Sequence, residues 1–262
     1  MRIDRWVLKI GVSAIACCTL VGCGPQPADS VGSGSPHEAG DKPVRFSAVW
    51  HTGPHVDLMS PLGTFVRAYV EDAAWAFYSW DEEQLSRAVV GASDFDIEKQ
   101  LVSTVPTGPL PEYQGAVDYH VAEVSGPAER TRVTVCRTAP RLGSREFRTD
   151  EKFVKGVDVD GEPSSVFPSL LVISQVGQAP PAGMAGTENV PPSEAFGEWR
   201  ALRYTHSPRR EERAEAQGKC NALLGLPPEY PDNPISETAV PSVPEVDPSP
   251  GWPVGSASVV GS

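Results

Sequence analysis

Residues 60–80 read SPLGTFVRAYVEDAAWAFYSW, and this stretch decides the fold. Leu62, Phe65, Val66, Tyr69, Val70, Ala73, Ala74, Phe77 and Tyr78 recur at alternating steps of three and one. That spacing puts one apolar stripe on a helix of about five turns. Ser60 followed by Pro61 is an N-cap with proline at the first helical position. Arg67, Glu71 and Asp72 lie on the opposite side of the wheel and are predicted to face solvent. Trp75 and Trp80 fall off the stripe and are assigned a surface or pocket role.

Downstream, Asp81 with Gln84 reads as a capping-box variant, and the short helix it opens stops at Gly91. Ser93 opens a third helical pattern through Ile97, Leu101 and Val105, which Pro106 ends. The period then changes to two. Val117, Tyr119 and Val121 alternate with Asp118, His120 and Ala122, and a second alternating run reaches Cys136. Gly126-Pro127 marks the turn of a hairpin between them. Phe153–Val159, Leu170–Val176 and Trp199–Thr205 read as further strands, with a Pro/Gly-rich loop over Gly177–Ala195. Ser207-Pro208 opens a closing helix through Cys220 to Leu224. Helices first and strands second predict α+β, with N-terminal helices packed on a curved antiparallel sheet.

The N-terminus sets location. Arg2, Arg5 and Lys9 precede an apolar run, Ile10–Val21, too short for the roughly 20 residues of a bilayer span. The run ends in Leu20-Val21-Gly22-Cys23, which resembles the bacterial lipobox. That resemblance implies a diacylglyceryl thioether on Cys23 and cleavage before it. Multiple acyl chains hold a domain where one chain is marginal. Residues 1–22 are thus expected to be a lipoprotein signal peptide, and 23–45 a lipidated linker, since half of Gly24–Arg45 is Gly, Pro or Ser. Residues 46–225 are the domain. Residues 226–262 carry nine prolines, five acids and no basic residue, a composition that predicts a disordered tail.

The chain has 22 basic and 34 acidic residues. Removing residues 1–22, with three basic and one acidic residue, leaves a net charge of −14. Phosphate backbones repel such a surface, so nucleic acid is excluded as a partner. Cys17 and Cys18 leave with the signal and Cys23 takes the lipid. The remaining pair, Cys136 and Cys220, most simply forms one disulfide in an exported protein, the alternative being two buried thiols.

The order of elements looks like the NTF2-like (SnoaL-like) cone fold, and more narrowly resembles actinobacterial lipoproteins carrying one such domain. The matching pieces are Leu20–Cys23, the helix Pro61–Ser79, the strand ending Val133-Thr134-Val135-Cys136 and the strand Glu198–Leu202. The resemblance implies a long helix in the concave side of a bent antiparallel sheet. It also offers Asp118 and His120 as an acid–base pair, since SnoaL-like enzymes use Asp and His in their cone. The two lie on one strand face about 7 Å apart, and His120 has a suitable pKa range. Alternation gives the simpler reading, a polar outer face outside any pocket. His51, His55 and Asp57 do not make a metal site, because Gly53 and Pro54 break any helical i, i+4 presentation; a flexible segment before the helix is expected. Asp158–Glu162 reads as a turn, its glycine misplaced for a calcium loop. No catalytic motif, metal site or cofactor is expected. The sequence points to a lipid-anchored protein on the extracytoplasmic face of the cell membrane, with a non-enzymatic binding or assembly role. Its partner would be an envelope protein or a small apolar ligand. The alternatives are a dedicated small-ligand binder and an acid–base enzyme using Asp118 and His120.

Overall fold

The computed structural model describes residues 45–79, 87–94, 111–146, 153–156, 166–205, 210–228, 237–240 and 242–254. The protein is α+β with a mixed sheet. Its strands are β1 Arg45–His51, β2 Pro111–Ser125, β3 Thr131–Glu146, β4 Phe153–Gly156, β5 Phe167–Ser174, β6 Arg200–Thr205 and β7 Glu237–Val240. Among the described residues the α-helices are α1 Pro61–Ser79, α2 Arg87–Gly91 and α3 Arg210–Leu224. The long β3 joins two wings. Its first half pairs with β5, which pairs with β6, and its second half pairs with β4, which pairs with β7.

Two expectations change. The sheet is not wholly antiparallel, because β1 runs parallel to β2 from Arg45↔Gln114 to His51↔His120. The segment around His51, expected to be a flexible lead-in, is therefore a strand. Phe46, Ala48 and Trp50 supply its buried face. Ser93 lies two residues past the end of α2. It bridges Ala201, and its hydroxyl donates to Val89 O at 2.7 Å. The patterns at 81–84, 97–106, 158–162 and 207–208, together with Trp80 and the lipobox through Cys23, lie outside the described residues.

The start of α1 follows its sequence. Ser60 Oγ accepts from Gly63 N at 3.1 Å and donates to Asp57 O at 2.5 Å. A Cβ at Gly63 would sit 2.3 Å from Asp57 O, so the approach of the preceding turn admits only glycine. The apolar stripe packs on Val117, Tyr119, Val121, Val133, Val135, Leu171 and Ile173, the inner face of the sheet.

The far side of α1 is not wet. Arg67, Glu71 and Asp72 are all buried, which corrects their predicted exposure. The cover is β1 together with residues 242–254, a Pro-rich stretch expected to be disordered. Ser249 bonds along the free edge of β1: Trp50 N donates to Ser249 O at 2.6 Å, and Ser249 N to Ala48 O at 3.1 Å. Trp252 pairs with Glu188 through both backbone groups and is fully buried. Its indole N–H donates to Glu71 Oε2 at 2.6 Å, and Trp50 donates to Oε1 at 2.7 Å. The Arg67 guanidinium lies 4.3 Å from the Trp252 ring centroid and donates to Met184 O and Gly251 O. Buried charge is tolerated only with such partners. Composition foretold the entropy cost of ordering this segment, but not that one tryptophan and a backbone bridge would offset it.

On the outer face, α3 packs over β5, β2 and β3. Cys136 and Cys220 form a disulfide with Cα atoms 5.5 Å apart. They sit with Ala122 and Val166 in a small second core flanked by Leu223, Leu224 and Leu226. Among the described residues no helix is long and apolar enough to cross a membrane.

Candidate functional site

Strand alternation fixes the site. With Val117, Tyr119 and Val121 turned toward α1, Asp118 and His120 point to the outer face. There the parallel register sets Val49 beside Asp118 and His51 beside His120. A bulge in the β2–β3 ladder between Ala116 and Asp118 locally bends the strand. Arg141 reaches from β3 to Asp118 on β2 beside it. Leu224 and Leu226, at and beyond the end of α3, form the opposite wall. The result is a cleft of about 420 Å³. The expectation that Asp118 and His120 lie outside any pocket is thus corrected. They face away from α1, as alternation requires, but α3 builds a second concavity there.

Asp118 is the hub. Its Oδ1 takes a hydrogen bond from His51 Nε2 at 2.7 Å and one from Arg141 Nη2, and its Oδ2 accepts from Arg141 Nε at 3.2 Å. The carboxylate keeps 9% of its side-chain exposure, against 43% for His51 and 41% for Arg141. Solvent or a ligand therefore meets His51 and Arg141 rather than the acid. The His120 ring stacks on His51 with centroids 4.3 Å apart and 5° between planes. Burial first and the neighbouring His51 second, with Asp118 working against both, hold the His120 pKa down at about 4. At neutral pH His120 is an uncharged imidazole and Arg141 the fixed cation.

This geometry holds an acid fast. Asp118 accepts three hydrogen bonds, two of them from the bidentate Arg141, which fix the carboxylate in place. Thr138 is the only hydroxyl among the residues lining the cleft. His55 and Asp57 do not join His51. Asp57 Oδ1 caps Met59 N at 2.9 Å in the turn before α1. Among the described residues no group of three or more His, Cys, Asp or Glu is placed to hold a metal ion. His51 and Arg141 had no local signal as partners of Asp118, being 67 and 23 residues away in the chain. Of the two tryptophans set off the stripe, Trp75 stacks near Phe46 at 4.7 Å and donates to Asn189 O at 3.1 Å. It fills a structural place.

His120 gives a direct test. Its folded pKa lies below the unfolded value near 6.5. Its contribution to stability is therefore complete above about pH 6.5 and is lost as pH falls through about 4. An NMR titration of the imidazole should place the His120 inflection near pH 4, well below that of a solvated histidine. An inflection at 6.5 or above would contradict the packed, neutral ring.

Comparison of the chain with protein-family models, with curated proteins and with solved structures gives no match.

Proposed function

We propose that the protein is a lipid-anchored module of the bacterial cell envelope that works by binding rather than by catalysis, on an NTF2-like domain held outside the cytoplasmic membrane. The observation that carries this reading is the pairing of Leu20-Val21-Gly22-Cys23, behind a short apolar run, with a disulfide-closed domain. Disulfides persist in oxidising compartments, and the lipobox supplies an anchor that the acidic surface could not provide on anionic lipid. The cone assignment is supported by a long helix along one sheet face and by ladder bulges in β2 and between β5 and β6. The parallel β1 and the returning tail are additions to the simplest form of that fold. The lipobox and the order of elements resemble those of actinobacterial lipoproteins of the same plan. The binding reading gains from the outer cleft, where Arg141 and His51 immobilise Asp118. The acid–base reading would assign the proton transfer to a carboxylate already held by two hydrogen bonds from Arg141.

Replacing Cys23 by alanine tests the location. Fractionated cells should show the wild-type protein in the membrane, and the Cys23→Ala protein unprocessed or released. A Cys23→Ala protein of the mature size that stays in the membrane would refute the anchor.

A further inference from the structure

The cleft on the outer face has a polar floor and an apolar wall. The sheet makes the floor, where Asp118 is held between His51 and Arg141. Leu224 and Leu226 make the wall, with Val49 and Pro140 beside the floor. The wall is tied to the sheet, because Cys220, one helical turn before Leu224, is disulfide-bonded to Cys136 on β3. The enclosed space is about 420 Å³, the size of a small-molecule site, and such sites combine apolar lining with a few placed polar groups.

The Arg141 guanidinium is only partly used. It carries five N–H groups in a rigid fork. Asp118 takes Nε–H and one hydrogen of Nη2, along the side of the fork. Three hydrogens remain on Nη1 and Nη2, and no other acceptor for them lies among the described residues. The side chain lines the cleft and is 41% exposed, so these donors are reachable. Two parallel N–H groups at the end of the fork match the two oxygens of a carboxylate. Asp118 keeps the guanidinium from turning, so little ordering is left to do when a ligand arrives. His51, 43% exposed, turns Nε2 to Asp118 and leaves Nδ1 for a ligand or water.

Charge and shape narrow the ligand. Arg141 and Asp118 together carry no net charge, and the chain carries −12. An anion is therefore recognised here by directed N–H groups and not by a long-range field. That favours one charge spread over two coplanar oxygens over a phosphate dianion. The side chains of Val49, Pro140, Leu224 and Leu226 offer no hydrogen bond, so the part of the ligand against them is hydrocarbon. We propose that the outer cleft binds an amphipathic carboxylate, with its head on the free end of the Arg141 fork beside His51 and its apolar chain on Leu224 and Leu226. This rests on the reading of the domain as a binding module and names the ligand class of its cleft.

The test is titration of the unlipidated full chain, with its disulfide formed, with butyrate, hexanoate, octanoate and octan-1-ol. Octanoate is kept below its micelle concentration. Binding is followed by calorimetry and by the histidine ring signals in NMR. Octanoate should bind about tenfold or more tightly than octan-1-ol, the effect of a charged hydrogen bond. Affinity should rise by about twofold to fourfold per CH₂ from butyrate to octanoate, the upper figure being full burial. The His51 and His120 signals should move with saturation. Arg141→Gln should weaken octanoate by about tenfold to a hundredfold and leave octan-1-ol unchanged. Leu226→Ser, beyond the end of α3, should flatten the rise from butyrate to octanoate, which keeps the test decisive if Arg141→Gln does not fold. Octanoate binding equally to wild type and to a folded Arg141→Gln would overturn the site, as would octanoate bound with the His51 and His120 signals unmoved. Octan-1-ol binding as tightly as octanoate would also overturn it, while leaving a binding domain for neutral ligands. Absence of octanoate binding would overturn the site without touching the membrane anchor, which the fractionation tests separately.

Discussion

Replacing both Cys136 and Cys220 by alanine is expected to lower the free energy of unfolding by about 4.5 kcal/mol, the chain-entropy value for closing a loop of this length. The bond spans 84 residues, so the unfolded chain gains much freedom when it is lost. Among the described residues, the other apolar contacts of α3 are few. Its own apolar contribution is the small cluster around Ala122 and Val166. Its polar ties include Lys219 with Glu123 and Arg203 with Glu212, each partly exposed, and such pairs contribute little. Urea unfolding of the double variant should show a lower midpoint, and wild type plus reductant should follow it. The outer cleft should open in the same variant, because Leu224 and Leu226 lose their anchor. A double variant within about 1 kcal/mol of wild type would show that the disulfide is not what secures α3.

Trp252→Ala is expected to cost about 3–5 kcal/mol, the range for deleting a large buried ring. Trp252 lies in residues 242–254, and its loss would leave Arg67 without its ring contact and Glu71 without one of its two donors. Trp252→Phe separates the parts: most of the apolar area stays, and the bond to Glu71 goes, at about 1.5–3 kcal/mol for a charged acceptor. Glu71 also makes the effect depend on pH. Burial raises its pKa from 4.5 to about 7, against the pull of Arg67 and the two indoles. A group raised in the folded state contributes stability that is complete below about pH 4.5 and lost as pH rises through about 7. That loss is about 3 kcal/mol at 1.36 kcal/mol per pKa unit. Trp252→Phe removes a contact that favours the ionised form, which raises the folded pKa further, so the loss should extend to higher pH and be larger. Thermal melts from pH 4 to 9 check this. A Trp252→Ala protein as stable as wild type would mean that residues 242–254 do not close the core.

The parts legible in the sequence were those whose burial is one-sided. The three-and-one stripe of α1 and the alternation of β2 and β3 name their own inner faces, and both point as expected. The sides of Asp118 and His120 followed from the same alternation. What escaped had its partner far along the chain. Phe46, Ala48 and Trp50 alternate as a strand does, yet they follow a Gly/Pro/Ser stretch and precede Gly53-Pro54. Arg67, Glu71 and Asp72 looked wet because a helix with one apolar stripe ordinarily has one open side. Here Trp252, 181 residues from Glu71, closes it. Composition marked the tail as unable to fold by itself, which is a statement about local burial and not about docking on β1. The outer cleft was hidden for the same reason. Its wall belongs to α3, and its clamp joins residues of three strands, which no local pattern announces.

The central claim is that this domain is exported and tied to the membrane through Cys23. Intact mass spectrometry of the protein extracted from membranes, without reduction, tests it most directly. The predicted species begins at Cys23, carries a diacylglyceryl group and additional acylation where the host supplies it, and has Cys136 linked to Cys220. A species that retains residues 1–22, or one that begins at an unmodified Cys23, would contradict it.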